Sequence, residues 1–201
     1  MALIDLIQRQ LDDNTVSQLS QQLGADPNTT RQAVPAALTA LLGGLSQNVQ
    51  QPGGAQRLAS ALGDHEGSLL DNLGGALGNP AAAQADGGGI LGHIFGGHQP
   101  AVASQIGQRT GLNQGQAARL LMLLAPFVLG YLSRQHRQQQ QQGSAGAGGG
   151  ITDILNGERA RVEQAHPEHR GILASILDRN HDGQILDDVA SMAGGILRGG
   201  R

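Results

Sequence analysis

The run from Leu120 to Leu132, Leu-Leu-Met-Leu-Leu-Ala-Pro-Phe-Val-Leu-Gly-Tyr-Leu, carries no charged side chain. At about 13 residues it falls short of the ~20 needed to cross a bilayer as a helix. It is too apolar to lie on a surface, so it reads as a buried core helix around which others must pack. A second such run extends from Ala33 to Leu45. No stretch shows sustained alternation rich in Val, Ile, Thr and aromatics, so no sheet is expected. The fold class that follows is all-α.

Gly, Pro and Asn punctuation divides the first part of the chain into helices, expected near 2–12, 14–23, 27–49, 54–63, 66–76, 88–95, 99–109, 113–124 and 125–141. Asp26 and Asn113 are natural N-caps, because a short polar side chain can accept from first-turn amides. Pro27 follows Asp26 where a missing N–H costs nothing. Pro35 and Pro126 fall inside helical patterns and are expected to kink or split them. The Ala- and Gly-rich stretch from Gly78 to Gly89 reads as a link between two halves.

Those halves resemble one another. Val16 to Gln47 lies over Ala103 to Arg134 without gaps, at an offset of about 87 residues. The matches include Gln21 with Gln108, Gly24 with Gly111, Leu42 with Leu129, Gly43 with Gly130 and Leu45 with Leu132. Each unit has a helix, a Gly turn, a polar cap and a long apolar helix. A helical hairpin cannot bury its apolar face alone. Two related hairpin units packed face to face would share a core, although chance similarity between two hairpins is the alternative. The expected organisation is a helical domain over 1–137, a Gln/Gly-rich linker over 138–150, and a C-terminal helical segment over 151–201. Five glutamines open the linker and can extend the helix before it; the Gly/Ser run after them is flexible in composition.

Composition excludes several function classes. The chain has 201 residues, no Cys and no Trp, and its 13 basic residues are all Arg. Without Cys there is no disulfide framework, thiol nucleophile or zinc-thiolate site. A formal charge of −3 lacks the basic excess of a dedicated nucleic-acid binder. Three aromatics, Phe95, Phe127 and Tyr131, supply no stacking platform. The stretch Val16 to Leu38 has a helix-turn-helix cadence, but its second helix offers Arg31 and then Ala, Val and Pro, a core-facing pattern rather than a base-reading one. No nucleophile elbow, P-loop or dinucleotide fingerprint is present, so no enzymatic activity is expected. His93 and His98, five apart among glycines, read as capping or surface residues rather than zinc ligands. The first residues contain Asp5 and Arg9 and no basic leader, which does not resemble a secretory signal. A cytoplasmic protein without membrane partners is expected.

The sharpest motif is Asp178-Arg-Asn180-His-Asp182-Gly183-Gln184-Ile185-Leu-Asp187-Asp188, which matches the opening of an EF-hand calcium loop. Calcium is a hard cation wanting six to eight oxygens, and side chains at loop positions 1, 3 and 5 converge on it. Asp178, Asn180 and Asp182 occupy those positions, Gly183 allows the sharp turn, and Gln184 offers its carbonyl. Flanking helices over 168–177 and 186–197 would complete a small EF-hand-like helix-loop-helix. The departure is at position 12, where a bidentate Glu is usual and Val189 stands here. Asp188, or Asp187 before it, would have to close the shell early. The other reading is a polar inter-helix turn, which needs no metal.

Several stretches resemble the bacterial domain-of-unknown-function family 937, the YidB-like group. They are Leu-Ser-Gln-Gln-Leu-Gly (19–24), Ala-Val-Pro-Ala-Ala-Leu-Thr-Ala-Leu-Leu-Gly-Gly-Leu (33–45), Gly-Ile-Leu-Gly-His-Ile-Phe-Gly (89–96) and Leu-Ala-Pro-Phe-Val-Leu-Gly-Tyr-Leu (124–132). The C-terminal loop is similar to the acidic tail of longer family members, in which paired aspartates like Asp187 and Asp188 form part of the pattern. The resemblance implies an all-helical bacterial protein and carries over no catalytic residue. The expected function is a non-enzymatic, self-associating structural or interaction protein, a homo-oligomer, with Ca2+ as a cofactor held by Asp178, Asn180, Asp182, Gln184 and Asp188. The alternative is a calcium-responsive regulator or adaptor, and behind it a helix-turn-helix-like DNA binder.

Overall fold

A computed structural model describes residue 3 and residues 12–64, 80–141 and 149–167. These residues form seven α-helices and no strand: α1 (Asp13–Leu23), α2 (Pro27–Gln50), α3 (Gly54–Asp64), α4 (Pro80–Phe95), α5 (Gln99–Thr110), α6 (Gln114–Gln141) and α7 (Gly149–Ala165). A single 3-10 turn, Gly96–His98, joins α4 to α5. Apart from Leu3 and Asp12, the expected helix over 2–12 lies outside the described residues, as does that over 66–76.

Local chemistry sets the helix ends. Asp12 Oδ1 accepts from the Thr15 amide at 2.8 Å and starts α1. Gly24 ends it in the left-handed region, at φ 66°, where a Cβ would be costly. Asp26 Oδ1 then accepts from the Asn28 and Thr29 amides at 2.9 and 3.0 Å, and Pro27 opens α2. Thr29, side chain and backbone, holds the Asp26 carboxyl below its ordinary pKa. Between α5 and α6 the same sequence of devices appears. Gly111 stops α5 at φ 84°. Asn113 and Gln116 exchange hydrogen bonds of 2.8 and 2.9 Å between side chain and backbone, a capping box at the start of α6. The two corners touch, since Gln116 Nε2 donates to the Gly24 carbonyl at 2.6 Å.

The two apolar runs become the two central helices. In α2 every residue from 36 to 46 is buried. In α6 every residue from 123 to 133 is buried. The remaining helices wrap this pair, with α4 and α5 against α6, and α1, α3 and α7 against α2. Ser133 Oγ reaches across to donate to the Leu62 carbonyl at 2.9 Å, fastening α6 to α3. Helix α6 is long and apolar enough to cross a membrane by length and composition, yet 67% of its apolar window is buried among its neighbours. Helix α7 places Ile151, Leu155 and Val162 in this same core.

Two expectations change. The stretch from Gly78 to Gly89 is not a linker from Pro80 onward, because α4 begins there and runs unbroken through Gly87, Gly88 and Gly89 to Phe95. Pro126 does not split its helix either, since α6 is continuous from Gln114 to Gln141. The two helices meet at one close contact. Proline lacks the N–H that would bond to the carbonyl four residues back, which frees the Met122 carbonyl. Gly87 of α4 packs directly on that oxygen, so closely that a Cβ at Gly87 would overlap it. The bare glycine backbone thus covers the carbonyl that Pro126 leaves without its helical donor, and no larger residue would fit there. Pro35 is likewise inside α2. The carbonyl it frees belongs to Arg31, an exposed residue that water can reach.

Candidate functional site

Two features stand out among the described residues, a cavity and a buried carboxylate. The cavity has a volume of about 290 Å³ and lies where α2, α3, α4 and α6 meet. Leu45, Leu58, Ile90 and Leu129 give it an apolar interior, while Asn48, Arg57 and His93 supply the polar atoms. Its geometry starts from the end of α4. Asn48 Nδ2, on α2, donates to the carbonyls of His93 and Ile94 at 2.9 and 3.1 Å. Both amide hydrogens are thereby used to satisfy last-turn carbonyls that would otherwise lack donors. The bonds pin α4 against α2 and fix one wall. Arg57 and His93 are exposed and stand at the rim. No acidic side chain is among the described residues lining it.

The carboxylate is Glu158 on α7, only 2% exposed. Its Oε2 accepts from the Leu3 amide at 2.7 Å. Its Oε1 accepts from the Tyr131 hydroxyl at 3.2 Å and from Arg161 Nη1 at 2.6 Å. Gln135 Nε2 donates to the same tyrosine oxygen at 2.9 Å. The acid therefore ties the N-terminal region, α6 and α7 together. Arg161 is 57% exposed at its side chain, so the charge of the pair faces water on one side only. Burial, reinforced by the Glu158 charge, pushes the Tyr131 phenol up to about 12. Ionising that phenol would place a second negative charge beside the carboxylate without water to screen it.

The residues expected to hold calcium, Asp178, Asn180, Asp182, Gln184 and Asp188, lie outside the described residues. Among the described residues no three His, Cys, Asp or Glu side chains gather as metal ligands would. His93 sits in the last turn of α4 and His98 ends the 3-10 turn, both exposed. Arg31, the one basic residue at the start of α2, bonds to Asp13 of α1 at 2.8 Å. Glu158 is the functional-looking residue that reading the sequence for motifs passes over. A signal was present: Ile151, Leu155, Glu158 and Val162 recur at the core spacing of a helix, which puts a carboxylate at an apolar position.

The described residues define an all-helical protein with a cavity-bearing core and a buried polar tie. Residues 5–135 match the family described as bacterial protein of unknown function (DUF937). The match covers well over half of the chain, which belongs to that family. No curated protein and no solved structure matches the chain.

Proposed function

We propose that the chain is a non-enzymatic, self-associating structural or interaction protein of the cytoplasm, with the glycine face of α4 as its contact surface. The observation that carries this reading is the open space over Gly88, Gly89 and Gly92, where a Cβ would meet nothing within 4 Å. A glycine inside a helix costs about 1 kcal/mol relative to alanine. Gly87 recovers that cost through its contact with Met122; Gly88, Gly89 and Gly92 make no such contact with the described residues. A second copy laid along α4 would use them, because helices without side chains at the contact approach closely. Charged residues are 14% of the chain, which opposes association weakly. The inward use of Glu158 supports the non-enzymatic part, since the most buried carboxylate among the described residues already binds three protein donors.

Light scattering tests the assembly. The expected result is a species heavier than the 20.7 kDa monomer at high concentration, returned to the monomer by Gly92→Leu. A strictly monomeric wild type, with and without calcium, overturns it. The acidic loop around Asp178 is proposed as the calcium site of the same protein, closed by Asp188 or Asp187. Calorimetry should then show binding heat that Asp178→Ala abolishes. No heat at millimolar calcium removes the ion from the account. The matching corners of α1–α2 and α5–α6 further support reading them as two related hairpin units.

A further inference from the structure

We infer that the cavity between α2, α3, α4 and α6 binds a small amphiphilic monoanion, a short-chain carboxylate whose tail enters the core and whose head stays at Arg57. This is independent of self-association. The cavity volume of about 290 Å³ lies at the lower edge of the ~300–1,000 Å³ typical of small-molecule pockets. That size selects a short tail over a long-chain lipid. The interior, formed by Leu45, Leu58, Ile90 and Leu129, offers a tail nothing to hydrogen-bond. The Asn48 amide donors are already used on His93 and Ile94, so a polar group placed deep inside would find no free donor there. The rim is different in kind. Arg57 is exposed and no acid is among the described residues lining the cavity, so a guanidinium fork faces outward where a carboxylate head would sit. His93 stands at the same rim and can donate a further hydrogen bond. An apolar interior with a single cationic rim discriminates by charge sign at the head and by length at the tail.

The test is titration of the full-length protein with octanoate, followed by NMR. The expected result is saturable shifts confined to residues lining the cavity. Octanoate should bind about ten-fold more tightly than hexanoate, as two further buried methylenes require. Arg57→Gln should weaken octanoate several-fold and leave octanol unchanged, with the unfolding transition of the protein preserved. Leu58→Trp, which fills the space from the half-buried side, should abolish both. Octanol binding as tightly as octanoate overturns the anion assignment, as does an Arg57→Gln protein that binds octanoate normally. No saturable shift at the cavity overturns the site, and so does binding only to anionic vesicles with none to soluble octanoate.

Discussion

Tyr131 shows how one absence in the composition makes a single side chain measurable. The chain has one Tyr and no Lys or Cys, so between pH 9 and 12 no other side chain titrates near it. Its phenol is raised from 10.0 to about 12 by burial and by Glu158. A phenol with a higher pKa when folded holds its proton more tightly in the folded state. The stability this gives is complete below pH 10 and is lost as pH rises towards 12. A rise of that size corresponds to about 2–3 kcal/mol. Denaturant unfolding measured from pH 9 to 11.5 should show stability falling with a slope that Tyr131→Phe removes. The phenolate absorbance of the native protein should also rise well above the ordinary midpoint. A native midpoint near 10 would show that Tyr131 is not held against a carboxylate in a dry site. The lone tyrosine is visible in the sequence; its partner is not, because Glu158 lies 27 residues further on, across a Gly-rich stretch.

At the scale of the element, α4 shows where local pattern stops being informative. The run from Pro80 to Gly89, with four alanines and three glycines, reads equally well as a loop and as a weak helix, because composition alone cannot say what each glycine faces. Caps and apolar periods were legible because they act within a few residues: Asp26, Gly24, Asn113 and Gly111 bound their helices as their chemistry dictates. The fit of Gly87 to Met122 is a contact between helices and leaves no local signature. It gives neighbouring glycines opposite roles. Gly87→Ala drives a methyl into the Met122 carbonyl and should cost about 2–3 kcal/mol. Gly88→Ala meets open space and should stabilise the monomer by up to ~1 kcal/mol. Urea denaturation of the two variants at low protein concentration checks both signs. Equal effects would mean that α4 does not lie against α6 through Gly87.

For the whole molecule, the question is where the folding unit ends. The family match stops at residue 135, and the Gln and Gly run that follows looks like a natural boundary. Yet α7, beyond that run, packs against α2 and α6 and supplies Ile151, Leu155 and Val162 to the core. Burying each of these contributes about 1.5–3 kcal/mol before the cost of ordering the helix, and exposing all three is a large loss against a domain's net ~5–15 kcal/mol. Glu158 adds the acceptor for Tyr131 and Leu3. The polar spacer hid this in the sequence, because a linker's composition says how freely its ends move and nothing of where the next helix docks. A chain cut after residue 137 should expose an apolar strip on α2, leave the Tyr131 hydroxyl without its carboxylate, and unfold or aggregate. A chain cut after residue 167 keeps α7 and should retain the denaturation midpoint of the full protein. If the 137-residue fragment unfolds cooperatively at that same midpoint, α7 is an appendage and the first boundary is the true one. If it fails while the longer fragment holds, the folding unit extends past the family match, and the acidic loop around Asp178 begins only a short distance beyond its edge.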